Sequence, residues 1–149
     1  MKSTYDPILV TQIFDASLED VWNALTVHEE MTQWYFSNIP AFEAVVGFKT
    51  KFIVKTEERT FPHVWKVTEV RPLQKIAYEW TFEGYSGSGI SHFELVSQGT
   101  QTKLNFSFVS LEAFPQDIPE FRRESGVAGW KYFIQENLKA YLSEKSKTK

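Results

Sequence analysis

The pattern of apolar and polar residues divides the chain into a helical end and a long middle part of strand character. Between about residues 125 and 143, apolar side chains recur three and four positions apart; they are Val127, Trp130, Phe133, Ile134, Leu138, Tyr141 and Leu142. This spacing places them on one face of a helix. Because the stripe is broad and aromatic, another element must cover it. We therefore expect a curved sheet to pack against this helix.

Seven segments have the alternation or the β-rich composition of strands. They are residues 8–14, 39–45, 48–55, 61–70, 75–82, 90–96 and 102–109. In residues 48–55 the inward candidates Phe48, Thr50, Phe52 and Val54 alternate mainly with lysines, which is typical of an antiparallel sheet with one solvated face. For residues 8–14 two assignments of the inward face fit equally well.

Two short helices are predicted after the first strand. Ser17 and Asp20 have the spacing of a capping box, and Thr26 and Glu29 repeat that spacing. We therefore expect helices over 18–25 and 27–35. The predicted order is β-α-α-β6-α, an α+β fold in a single domain over 1–149, with a core over about 8–143 and a frayed basic tail over 144–149.

Composition excludes several classes of protein. The length of 149 residues suits one domain. The net charge of −3 speaks against nucleic-acid binding, and the absence of cysteine excludes disulfides, thiolate zinc sites and a cysteine nucleophile. There is no apolar run of signal-peptide or membrane-span length, so we expect a cytoplasmic protein without membrane insertion.

Few residues have the spacing of a catalytic or metal site. His28, His63 and His92 form no ligand pattern, so we expect no metal and no cofactor. The loop at 84–89 lacks the Gly-x-Ser-x-Gly order of a nucleophile elbow, and it is interpreted as a hairpin loop, with a mobile lid as the lesser alternative. Gly126 and Gly129 indicate either close backbone packing or room for a large ring against the last helix.

Several motifs resemble one known family. They are Asp15-Ala16-Ser17-x-x-x-Val21-Trp22-x-Ala24-Leu25, then His28-Glu29-Glu30-x-x-x-Trp34, Val67-x-Glu69-Val70-x-Pro72, Ile76-x-Tyr78-x-Trp80, Gly99-Thr100 and Gly129-Trp130. Together they resemble the activator of heat-shock protein 90 ATPase homologue family, of the START/SRPBCC superfamily. The resemblance implies a helix-grip fold, in which a seven-stranded antiparallel sheet wraps a long C-terminal helix around a cavity. Residues 36–47 depart from the family pattern, because its glycine-rich strand pair is reduced to Gly47.

Three functional hypotheses remain open. The first is the binding of a small apolar ligand, aromatic or lipid-like, in a cavity between the sheet and the last helix. Its predicted wall is Phe52, His63, Trp65, Tyr78, Trp80, Phe93, Phe106, Trp130, Phe133 and Ile134, with His63 and Tyr78 as orienting polar groups. The alternative for each residue is a solid core in which these rings touch each other.

The second hypothesis is an enzyme of cyclase or dehydratase type acting on a ring-bearing substrate. It has only His63, Tyr78 and Glu69 as candidate acids or bases, so binding without catalysis is favoured. The third is a stress-response module associated with a chaperone of the heat-shock protein 90 type. The oligomeric state does not follow from the sequence.

Overall fold

A computed structural model describes residues 7–147. Its strands are β1 (Ile8–Phe14), β2 (Lys49–Lys55), β3 (Thr60–Arg71), β4 (Lys75–Phe82), β5 (Ser88–Gln98) and β6 (Gln101–Glu112). Two helices, α1 (Leu18–Thr26) and α2 (His28–Trp34), follow β1. After a short 3-10 turn (Pro119–Phe121), the C-terminal helix consists of α3 (Arg123–Lys131), a π-helical segment (Tyr132–Leu138) and α4 (Lys139–Lys147).

The strands form one curved antiparallel sheet in the order β1-β6-β5-β4-β3-β2. The prediction of an α+β fold with this sheet against a C-terminal helix is confirmed. The capping interaction predicted at the start of α1 is also present, since Ser17 accepts a hydrogen bond from the Asp20 N–H at 3.1 Å.

The prediction of seven strands is wrong, because the described part of the chain has six. Residues 39–45 form no ladder, although Ile39 and Phe42 are buried in the core. Pro40 has no N–H to donate to a neighbouring strand. The amide of Asn38 instead bonds to the Ile53 carbonyl of β2 at 2.6 Å. The segment is held by side chains, and β2 is left as the edge strand.

The structure also settles the inward face of β1, which the sequence left open, and corrects the predicted end of the last helix. In β1 the buried side chains are Val10 and Phe14, while Leu9 and Ile13 are exposed. The last helix is longer than predicted, since α4 extends to Lys147 and the Lys145 ammonium lies 2.7 Å from a Glu30 carboxylate oxygen. Part of the predicted frayed tail is therefore helical, and residues 148–149 lie outside the described residues.

Candidate functional site

A cavity of about 430 Å³ opens to solvent at one end of the space between sheet and C-terminal helix. The sheet contributes mainly aromatic side chains to its wall: Phe61, His63, Trp80, Phe82 and Phe108. The C-terminal helix contributes Gly126, Gly129, Trp130 and Phe133, and Phe36 follows α2. The volume is within the range of pockets that hold small organic molecules.

Strand register explains how the polar part of this wall is positioned. Phe52, His63 and Phe82 are directly paired across β2, β3 and β4, so their side chains form one row on the inner face. The His63 ring stacks on Phe52 with ring centres 5.0 Å apart, and it makes a T-shaped contact with Phe82 with ring centres 4.6 Å apart. The imidazole is therefore held in one orientation by rings on both sides.

His63 is a neutral polar group in this wall. Only 6% of its surface is exposed, and its Nδ1 lies 2.9 Å from the carbonyl oxygen of Phe61. Burial lowers the pKa of His63 to about 4, and the Phe61 carbonyl opposes that shift only in part. At neutral pH the ring is consequently uncharged.

An ion pair ties two segments together at the open end of the cavity. Glu120, in the 3-10 turn, accepts from the Arg59 guanidinium at 3.0 Å and from the Thr56 hydroxyl at 3.0 Å. Phe61 and Phe121 pack beneath this contact with ring centres 5.2 Å apart. The turn between β2 and β3 is therefore fastened to the link that precedes the C-terminal helix.

Of the ten predicted wall residues, four border the cavity: His63, Trp80, Trp130 and Phe133. The other six, Phe52, Trp65, Tyr78, Phe93, Phe106 and Ile134, are buried in the adjoining core. There the rings touch one another, for instance Trp65 and Tyr78 at 4.8 Å between centres and Phe93 and Phe106 at 4.9 Å. Contact of these six residues with a ligand stays a prediction.

The two other candidate acid–base groups, Tyr78 and Glu69, do not border the cavity. The Tyr78 hydroxyl donates to the Tyr35 hydroxyl at 3.2 Å, and burial raises the pKa of Tyr78 far above its ordinary value. Glu69 lies 3.1 Å from the Lys75 ammonium and 3.0 Å from Arg71 Nε. The hydrogen bond with Lys75 is the main cause of a lowered pKa for Glu69.

The two glycines of the last helix have different roles. A Cβ atom at Gly126 would lie 3.0 Å from the Ile8 side chain, so this position packs closely on β1. A Cβ atom at Gly129 would meet no atom within 4 Å, and this position borders the cavity. Close packing therefore explains Gly126, whereas the space beside Gly129 is open.

A family model for "Activator of Hsp90 ATPase homolog 1-like protein" matches residues 15–143. The chain belongs to this family. The family resemblance carried by the sequence motifs is thereby confirmed. No curated protein matches the chain.

Solved structures share the fold of this family member. DynU16, a protein of the dynemicin biosynthetic locus, is 23% identical with a TM-score of 0.73; the alignment covers 93% of our chain but only 47% of DynU16. Protein CV1439 from Chromobacterium violaceum is 19% identical with a TM-score of 0.74, covering 91% and 96%. The Aha1 dimer from Colwellia psychrerythraea is 21% identical with a TM-score of 0.70, covering 92% and 96%. At these identities the likeness concerns the fold alone.

In this member of the family, several wall residues were missed by the sequence reasoning. Phe61, Phe82 and Phe108 lie two positions from predicted wall residues on the same strands, so the period-two pattern could have identified them. Phe36, Phe114 and Phe121 lie outside the strands and α-helices. No periodicity marks such positions.

Two negative findings apply to the described residues. Within residues 7–147, no group of three or more His, Asp or Glu side chains is arranged to hold a metal ion. No helix in that range has the length and apolar character needed to span a membrane.

Proposed function

We propose that the protein binds a small apolar ligand, aromatic or lipid-like, in the cavity between the sheet and the C-terminal helix. The observation that carries this proposal is the aromatic lining of a 430 Å³ cavity that opens to solvent. Apolar walls with a few fixed polar groups are what small-molecule sites use. Burial of flat apolar surface against such rings stabilises the complex by roughly 25 cal/mol per Å² removed from water.

The position of the cavity within the fold supports the same proposal. The neighbouring core is closed by direct ring contacts, such as Phe106 against Trp130 at 4.1 Å between centres. The open space is confined to the end where Gly129 lacks a side chain and where residues 113–123 bridge the sheet and the helix. A packed protein interior leaves few voids larger than a water molecule. A space of this size therefore suits a ligand better than a packing defect.

Tryptophan indole resonances provide the test. In proton–nitrogen spectra recorded with a panel of flat aromatics and fatty acids, we expect saturable shifts for Trp80 and Trp130, which border the cavity. Trp22 and Trp34 lie outside it and serve as internal controls. If no compound shifts Trp80 or Trp130, the proposed function is rejected.

Catalysis by acid–base chemistry has weaker support from the same geometry. An effective general base has a pKa near the working pH, whereas the pKa of His63 is lowered to about 4 and that of Tyr78 is raised by burial. Unchanged turnover of a candidate substrate after His63→Ala would count against a cyclase or dehydratase. We therefore favour binding over catalysis.

A second candidate function follows from the family match. The description of the matching model names the activation of an Hsp90 ATPase, and a structural neighbour is an Aha1 dimer. A chaperone-associated role would use the protein surface, not the cavity. Titration with a bacterial chaperone of this type distinguishes the two, because surface resonances would then shift while Trp80 and Trp130 stay unchanged. If the chaperone shows no saturable binding at concentrations that detect weak transient complexes, this role is excluded.

A further inference from the structure

His63 is the one buried polar side chain that borders the cavity, among the residues that the structure describes. The remaining polar or charged side chains of the wall are half-buried or exposed, for example Thr56, Ser110 and Gln116. The indole N–H groups of the buried wall residues Trp80 and Trp130 can only donate, so His63 is the buried side chain of the wall that can accept a hydrogen bond from a ligand. The chemistry of His63 therefore decides which polar group is accepted.

The hydrogen bonds of His63 fix its tautomer. The carbonyl oxygen of Phe61 can only accept, so the contact of 2.9 Å requires the proton to be on Nδ1. Since burial lowers the pKa of the ring to about 4, Nε2 carries no proton at neutral pH. Nε2 makes no hydrogen bond to any described residue, and it is therefore a free acceptor.

The direction of this acceptor is also fixed. Nδ1 is bonded to the Phe61 carbonyl of the same strand, so Nε2 is the ring nitrogen that remains for a ligand in the cavity that His63 borders. Phe52 stacks on the ring with an interplanar angle of 22°, while Phe82 and Trp80 make T-shaped contacts with ring centres 4.6 Å and 5.4 Å from that of His63. Because rings on several sides prevent rotation, the lone pair is aimed before any ligand arrives.

We propose that His63 Nε2 selects ring-bearing ligands that place a hydrogen-bond donor, such as a phenolic hydroxyl, inside the cavity. This inference rests on the proposed function and adds a specificity to it. A ligand of the same shape without the donor leaves both Nε2 and its own polar atom without a partner, and buried unpaired polar groups are costly. The net free energy of one such hydrogen bond corresponds to roughly a 3- to 10-fold higher affinity for the ligand that has the donor.

Naphthol and its methyl ether, methoxynaphthalene, form a matched pair of probes for this preference. We would measure their affinities from the Trp130 indole shift, for the wild type, for His63→Phe and for the control His92→Phe. His92 lies half-buried on the outer face of the sheet and away from the cavity. We expect the wild type and the control to prefer naphthol, whereas His63→Phe should prefer the ether, because the hydroxyl then loses water without gaining an acceptor.

The pH dependence adds an independent readout. The preference of the wild type for naphthol should stay constant from about pH 8 to about pH 5.5. A histidine of ordinary pKa, about 6.5, would gain a proton on Nε2 over that range and lose its role as acceptor. A preference that disappears in that range would show that His63 gains a proton there and would overturn its role as a neutral acceptor, whereas a preference absent at every pH would overturn the assigned tautomer.

The possible outcomes separate this inference from the proposed function. If neither probe binds, the apolar cavity itself is refuted as a site. If both bind equally to the wild type, the cavity stands and the role of His63 is overturned. Should His63→Phe fail to fold, the role of His63 can be tested on the wild type through the nitrogen resonance of Nε2. If Nε2 accepts a hydrogen bond from the ligand, naphthol must shift this resonance more than the ether does.

Discussion

Replacing Gly129 with leucine should block the cavity and stabilise the fold at the same time. Gly129 lies within α3 and borders the cavity, and a Cβ atom there would meet nothing within 4 Å. A leucine side chain would therefore extend into the space that the ligand needs. We expect the affinity for naphthol to fall by about tenfold or more, equivalent to a loss of at least about 1.4 kcal/mol of binding free energy.

The gain in stability has two sources. Replacing a glycine inside a helix with a good helix former contributes up to about 1 kcal/mol. Full burial of a leucine contributes roughly 1.5–3 kcal/mol, and about half of that is expected at a wall that opens to solvent. The sum is about 2 kcal/mol. For a domain of this length it corresponds to a rise in Tm of about 4–8 °C.

Two control variants isolate the effect of filling the cavity. Gly129→Ala should retain the helix contribution, about 1 kcal/mol, with little loss of affinity. Ala128→Leu adds the same side chain at an exposed neighbouring position that does not border the cavity, so both stability and affinity should stay nearly unchanged. Thermal unfolding and naphthol titration measure the two quantities. A Gly129→Leu variant that is less stable and binds normally would refute the reasoning, because the space beside Gly129 would then be neither free nor used.

Three further predictions concern stability and can be checked by urea unfolding. Below pH 6.5 His63 gains a proton in the unfolded chain, whereas in the folded chain it does so only at about pH 4. The unfolding free energy of the wild type should therefore fall by about 2 kcal/mol more than that of His63→Phe between pH 7 and pH 5. Equal slopes of unfolding free energy against pH would contradict the lowered pKa. The charged residues of the cavity wall, Glu120, Arg122 and Arg123, remain in both proteins and cancel in this comparison. Tyr78→Phe leaves the buried Tyr35 hydroxyl without its partner and should cost about 1–3 kcal/mol, so an unchanged midpoint would argue against that hydrogen bond. Ile134→Ala should cost about 2–5 kcal/mol, since Ile134 is fully buried in the core; a loss below 1 kcal/mol would place it beside open space.

The strands and helices could be predicted largely from the alternation of apolar and polar residues. This worked best where one face is solvated, as in β2, whose lysines alternate with Thr50 and Phe52. It failed at residues 39–45, where Ile39 and Phe42 are buried but lie three positions apart, which is not the period of two of a strand, and no ladder forms. Apolar residues report that a segment contributes side chains to the core and not that its backbone pairs with a neighbouring strand.

The cavity could be predicted only in part, because alternation identifies which rings face inward and not which rings meet. Phe106 and Phe108 both point to the inner side of β6, yet Phe106 contacts Trp130 at 4.1 Å in the closed core and Phe108 borders the cavity. The difference depends on what lies opposite each ring. That in turn depends on the irregular link over residues 113–122, whose side chains follow no period.

The proposed selectivity of the site also depends on an environment that residue type does not specify. A histidine on a strand is consistent with a cation, a base or a neutral acceptor. Here the choice is made by Phe61, whose carbonyl accepts a hydrogen bond from Nδ1–H, and by Phe52 and Phe82, which pack on the ring. These neighbours make His63 a weak base and an oriented acceptor at once. A cavity that offers such a group can discriminate between ligands without performing chemistry on them, and this is the reason why we propose binding and not catalysis.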